Sequence, residues 1–197
     1  MLARIWRKIY NRACDLRNRK IRIMMVRGYR NPDGTLRKNT RISNTVFIDH
    51  PEGLSLGDHV FIGHYNFIEA SQGVFIGEGC QVTNFISLTT HSSHNSIRVY
   101  GRRYIETKEH KGYVRGKIRI GKYSFIGPHS LIMPNTNIGK GSIVAAYSNV
   151  AGDFPDFSII RGNPAKVIGD TRSIDENLLR DYPDLQGSYD AWSIDDS

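Results

Sequence analysis

The chain has 197 residues, 39% of them hydrophobic and 23% charged, which suits one domain with a sizeable core and a short appendage. It holds no run of ~18 apolar residues that would span a bilayer, and neither an apolar core segment nor a small-residue cleavage site follows its basic N-terminus, so no signal peptide is expected. The net charge of +8 is concentrated: residues 1–41 hold 13 Lys/Arg against Asp15 and Asp33, a segment charge of +11, while the remainder carries −3, which argues against nucleic acid as the partner of the body.

Residues 2–29 interleave apolar side chains, among them Ile5, Trp6, Ile9, Leu16, Met24 and Val26, with basic ones. The pattern predicts one or two amphipathic basic helices. Such a segment caps the open end of a repeat fold or attaches to an anionic membrane surface or an acidic glycan, and both readings stay open. Cys14 and Cys80 form no metal or redox motif and read as reduced thiols of a cytoplasmic protein.

From residue 42 an aliphatic residue recurs every six positions. Ile42, Ile48 and Leu54 begin the pattern weakly, Leu56, Ile62 and Ile68 follow, and Ile76, Val82 and Leu88 resume it in a new register. Residues 91–117 interrupt it with a stretch rich in Tyr, Arg, Lys and Gly, expected to be a long loop thrown out from one corner; such a loop on a regular scaffold is usually functional. The period returns in Ile120-Gly-Lys-Tyr-Ser-Phe, Ile126-Gly-Pro-His-Ser-Leu, Ile132-Met-Pro-Asn-Thr-Asn and Ile138-Gly-Lys-Gly-Ser-Ile, then Val144 and Val150. Glycine follows the aliphatic residue at 57, 63, 77, 121, 127 and 139.

Period six fits neither an amphipathic helix nor an alternating strand. It fits an all-β, parallel β-helix: short strands joined by turns, three to a triangular coil, each coil pairing with those above and below while the aliphatic residues stack inside. Glycine and asparagine at the corners are expected to supply backbone angles that β-branched residues resist. After Val150 the pattern decays. A C-terminal helix is expected from Ser173, whose spacing to Glu176 matches a capping box, ending before Pro183, with an acidic tail beyond. The organisation is thus a basic segment over 1–41, a β-helix over 42–170, and a helix with tail over 171–197.

The tandem hexads, Met133-Pro-Asn-Thr-Asn-Ile-Gly139 and Gly162-Asn-Pro-Ala-Lys-Val-Ile168 together resemble the hexapeptide-repeat acyltransferases. The match is to the branch that acetylates maltose, galactosides, nodulation factors, surface polysaccharides and streptogramin antibiotics, and it covers roughly residues 54–170. It implies a left-handed β-helix, a homotrimer with sites between subunits, acetyl-CoA as acyl donor, no metal, and a loop histidine as base.

Histidine suits that role because it titrates near neutrality, and Thr89-Thr90-His91-Ser92-Ser93-His94 stands at the mouth of the loop. Relatives place the base 17 or 18 positions after the aliphatic residue opening that coil. Counted from Ile76, His94 stands at 18 and His91 at 15, so the count favours His94, with His91 orienting a partner or the substrate. The resemblance further points to Ala145, Ala146 and Ala151 along the pantetheine, to Lys166 and Arg161 at the acidic part of coenzyme A, and to Phe125 where relatives often have Trp. Glu69 and Asn84 are candidate acceptor contacts. Arg98, Tyr100, Arg102, Arg103 and Tyr104 either hold an acidic or polymeric sugar or form the loop's solvated face.

The expected function is transfer of acetyl from acetyl-CoA to a sugar hydroxyl of a bacterial surface polysaccharide or its precursor, in the cytoplasm or at the inner face of the membrane, which residues 1–30 would contact. Alternatives are an antibiotic or small-sugar acetyltransferase, a carbonic anhydrase of the same fold using His59, His64 and His91 or His94 on zinc, and a scaffold without activity.

Overall fold

The computed structural model describes Lys8 and residues 22–194; the expected basic helices fall mostly outside them. The described part is a left-handed parallel β-helix with three sheets as its faces. The first face runs through Phe61–Ile62, Gln81–Val82, Phe125–Ile126, Ile143–Val144 and Ser158–Gly162. The second runs through Phe47–Asp49, Phe67–Glu69, Ser87–Thr89, Leu131–Ile132 and Asn149–Val150. The third runs through Leu54–Leu56, Val74–Ile76, Ile118–Ile120, Thr136–Ile138 and Asp153–Phe154.

Pairing register places the hexad residues in three inward columns. Ile62, Val82, Ile126, Val144 and Ile160 stack on the first face, Ile48, Ile68, Leu88, Ile132 and Val150 on the second, and Leu56, Ile76, Ile120, Ile138 and Phe154 on the third. Nearly all of these side chains are fully buried. Each fully buried aliphatic side chain contributes about 1.5–3 kcal/mol. Partners are 20 residues apart in the early coils, as from Ile62 to Val82, and 18 apart later, as from Ile126 to Val144. The two extra residues sit at the corner between the second and third faces, in Asp49–Gly53 and Glu69–Gly73, and account for the register shift at Ile76.

The corners differ from expectation in one respect. Apart from Asn135, the non-glycine residues with left-handed backbone in the corners are aromatic or histidine, including Tyr65, Phe85, Tyr123, His129, Tyr147 and Phe157, with φ between 56° and 60°. Such angles cost of order 1–2 kcal/mol each in an L-residue. Ring stacking from coil to coil offsets that cost: Tyr65 on Phe85 at 5.2 Å, Phe85 on His129 at 4.9 Å, and His129 on Tyr147 at 4.9 Å. The hexad glycines have another reason. A Cβ on Gly57, Gly63, Gly77, Gly121, Gly127 or Gly139 would lie 2.3–2.6 Å from an atom of the next coil. They are required by the close approach of the coils, and none of the six has positive φ.

Further described elements flank the coils at both ends. Met25–Arg30 is a β-strand, where an amphipathic helix was expected. It pairs antiparallel with Leu36–Ser43, the edge of the first face. The turn is closed by Gly34 N–H to Asn31 O and Asn31 N–H to Thr35 O; Asn-Pro-Asp-Gly is a hairpin signal that overrides the helical spacing. At the other end, Ala165–Asp170 folds back on Ser158–Gly162. A helix then spans Arg172–Asp181 and stops before Pro183 as expected. The capping box is not made: Ser173 lies inside the first turn and donates to Asp170 O at 2.8 Å. The expected acidic tail contains a further helix, Gln186–Ser193, whose Trp192 packs on Tyr123 and Phe157.

Candidate functional site

The corner between the second and third faces gathers the candidate residues around the long excursion. Register stacks Asp49, Glu69 and Thr89 there on successive coils. The long excursion of residues 91–117 leaves through the strand His91–Ser92 and returns through Val114–Arg115, paired His91 to Arg115 and Ser92 to Val114. Between them lie a helix, His94–Tyr100, and a 3-10 turn, Gly101–Tyr104. The return is sealed by Gly116 N–H to Thr90 O at 2.9 Å and by Asn135 Nδ2 to Arg115 O at 3.0 Å.

At this corner His91 Nδ1 lies 3.0 Å from Glu69 Oε2, and the ring stacks on Tyr113 at 5.5 Å. Glu69 is buried, 3% exposed. Its Oε2 accepts from Thr90 N–H at 2.8 Å and Thr90 Oγ1–H at 2.6 Å, and its Oε1 accepts from Ser71 N–H at 2.8 Å. Burial by itself would raise this carboxyl, but the hydrogen bonds from Ser71 and Thr90 outweigh it and hold the group at about 2. A carboxylate on Nδ1 fixes the imidazole tautomer: Nδ1–H donates to Glu69, and Nε2 keeps a lone pair able to take a proton. His50 extends the cluster, with Nδ1 3.1 Å from Asp49 and 4.0 Å from Glu69 Oε1.

The lowered Glu69 carboxyl has a consequence for stability. Because the unfolded chain binds this proton near the ordinary value of 4.5 and the folded chain only near 2, its contribution is complete above 4.5 and lost as pH falls towards 2. Urea melts of wild type and Glu69→Gln are expected to differ at pH 6 and to converge as pH falls from 4.5 to 2. A difference that persists unchanged at pH 2 would defeat this account.

The sequence candidates fall in distinct places. Glu69, expected to touch an acceptor, instead meets His91, and both of its oxygens are taken. His94 is exposed at the start of the loop helix, with Nδ1 2.7 Å from Ser92 Oγ. Arg98 turns back on that helix, donating to His94 O and Asn95 Oδ1 at 2.6 and 2.8 Å, while Arg102 is exposed in the 3-10 turn. Asn84 ties two coils together by accepting from His64 N–H at 2.7 Å. Phe125 stands 39% exposed on the first face, Ala145 and Ala146 form the corner between first and second faces, and Ala151 lies in the last coil, at the same corner as His91. Arg161 and Lys166 stand directly opposite each other across the last antiparallel pair, both exposed. Like charges so placed repel and suit an anion between them. His59 and His64 occupy different corners, near Asn39 and Ser43, and no metal-ligating group forms among the described residues. Thr90, Ser71 and Tyr113, which hold the histidine and its carboxylate, were not singled out from the sequence. The repeat of polar residues at one corner of successive coils was the available signal.

A model of the bacterial transferase hexapeptide, described as six repeats, matches residues 117–152. Residues 117–152 are bacterial transferase hexapeptide repeats. The hexapeptide coils also align with a probable acetyltransferase of Mycobacterium tuberculosis, 28% identical over 119 residues, covering 60% of this chain and 38% of that protein. The chain therefore spans well under half the length of that relative. Among solved structures the hexapeptide fold superposes on a maltose O-acetyltransferase from Clostridium difficile 630 with a TM-score of 0.55, 19% identity and 64% of each chain. It superposes equally on a hexapeptide-repeat acetyltransferase from Vibrio cholerae complexed with acetyl coenzyme A, with a TM-score of 0.55, 22% identity and 64% of each chain. At these identities the likeness is one of fold, and it bears out the resemblance of the hexads.

Proposed function

We propose that the protein transfers the acetyl group of acetyl-CoA to a saccharide hydroxyl, with His91 as the base and Glu69 as its positioning carboxylate. The observation that carries this reading is the His91–Glu69 contact at the mouth of the long loop. The hydroxyl oxygen attacks the thioester carbonyl as His91 Nε2 takes its proton; the C–S bond then breaks, and the proton returns to the departing thiolate. Glu69 stabilises the imidazolium that forms in between without taking its proton. The donor would lie along the small corner residues Ala145, Ala146 and Ala151, with Arg161 and Lys166 meeting its phosphates. The assembly is proposed to be a homotrimer, as the family resemblance implies. Incubating the protein with acetyl-CoA and an oligosaccharide panel is expected to release free thiol only when an acceptor is present. Thiol release that no saccharide stimulates would sink the reading.

The acceptor is proposed to be a surface polysaccharide or its precursor, met at an anionic membrane. The support is the +11 charge of residues 1–41, which also carry the exposed Ile23, Met24 and Val26. No described helix is long and apolar enough to cross a membrane. Deleting residues 1–21, which spares the hairpin at the sheet edge, is expected to weaken sedimentation with phosphatidylglycerol vesicles. Raising salt should do the same. Unchanged vesicle binding after deletion would remove the membrane from the proposal.

A further inference from the structure

Where the excursion rejoins the coils, the chain reads Val114-Arg-Gly-Lys-Ile-Arg-Ile120. Ile118 and Ile120 are buried in the core, while Arg115, Lys117 and Arg119 are exposed. In extended chain these alternate positions stand about 6.6 Å apart, so the three cations make a row about 13 Å long. Among the described residues none of the three forms an ion pair.

Two of the cations are held on aromatic rings. Arg115 lies over Tyr113 at 4.6 Å and Arg119 over Phe75 at 4.7 Å, which anchors one guanidinium face and leaves its edge for a carboxylate or phosphate. Tyr113 is also the ring on which His91 stacks, and Arg115 is paired in register with His91, so the row begins at the histidine. It leads outward over two adjoining grooves on the third face, of about 630 and 660 Å³, that share Arg119 and Asn137. Gln72 also lines the nearer groove, and Asp153 is the acidic residue on its lining.

We propose that Arg115, Lys117 and Arg119 form a track that selects an anionic saccharide, one bearing carboxylates, and delivers it to His91. The proposal rests on the acetyl-transfer reading for the fate of the ligand, but its binding chemistry stands apart from it. A row of unpaired cations between a base and an open groove repels nothing in a neutral sugar and gains nothing from one. Its match is repeated negative charge. Donor phosphates are the other source of such charge, and they are separable by experiment.

The test is calorimetric binding of trigalacturonate, maltotriose and coenzyme A to wild type, to Lys117→Gln/Arg119→Gln and to Lys117→Glu/Arg119→Glu. Wild type is expected to bind trigalacturonate more weakly as salt rises, and the charge reversal to weaken it at least about tenfold, with the glutamine pair in between. Coenzyme A affinity should be unchanged, and maltotriose should show no dependence on the track. Failure of wild type to bind trigalacturonate, or equal binding by the folded variants, would overturn the proposal. Loss of coenzyme A affinity in their place would reassign the track to the donor. Because binding is read without turnover, salt-sensitive trigalacturonate binding with no thiol release from acetyl-CoA would keep the track and remove only the acetyl-transfer reading.

Discussion

His91→Ala is expected to lower kcat by about 10²–10⁴-fold, the usual contribution of a positioned general base, while coenzyme A binding stays near the wild-type value. The separation follows from where the groups sit: Ala146, Arg161 and Lys166 belong to the last coils, and His91 to the corner below them. Glu69→Gln should lose much of the same factor, because glutamine can present its amide N–H to Nδ1 and favour the wrong tautomer. His94→Ala should be mild. Its ring is exposed and bonds Ser92, and among the described residues no carboxylate pairs with it. Should the ranking of the two alanine variants reverse, the base is His94 and the Glu69 contact is structural. Near-normal turnover in the double variant would remove histidine catalysis from this loop.

The second large effect concerns stability. Gly121→Ala places a Cβ 2.4 Å from Lys140 N and 2.7 Å from Gly139 C, atoms of neighbouring backbone that move only if two coils separate. The expected cost is about 3 kcal/mol or more, at the upper end for overpacking, and a melting temperature lower by about 6–12 °C for a chain of this size. Gly187 is the internal control. It lies in the helix Gln186–Ser193, where an added Cβ would meet nothing within 4 Å, so Gly187→Ala should be neutral or stabilising by up to about 1 kcal/mol. Equal melting temperatures for the two variants would refute the coil-contact explanation of the hexad glycines.

The repeat was legible because it depends on spacing alone. Ile126 or Val144 needs no partner identified in advance, since each stacks on whatever stands one coil away. The register shift at Ile76 was likewise visible, and its cause is the two-residue lengthening of the corner. The N-terminal strand, Met25–Arg30, is hidden because apolar residues interleaved with basic ones suit an amphipathic helix as readily as an edge strand. The deciding signal was the turn at Asn31-Pro-Asp-Gly34, which lies beyond the segment it organises. The candidate site was half legible. His91 and Glu69 were both singled out, but for separate roles, because their 3.0 Å approach joins residues 22 positions apart through coil stacking and not through any local motif. Counting along the chain points to His94, whereas the base proposed above is His91, the histidine in the strand pair that opens the loop.

The corner between the second and third faces accommodates Met133–Asn135 in one coil, Glu69–Gly73 in another and Thr89–Lys117 in a third, while Leu88 and Ile118 keep their places in sheets that do not register the difference. The scaffold is therefore indifferent to what is spliced in at that point. Heritable change in this molecule has a cheap address: an insertion, deletion or recombination between Thr89 and Lys117 rewrites the surroundings of the histidine and the row of cations without asking the interior to repack. Descendants of such a chain would diverge in what this corner touches long before they diverge in the shape of their core.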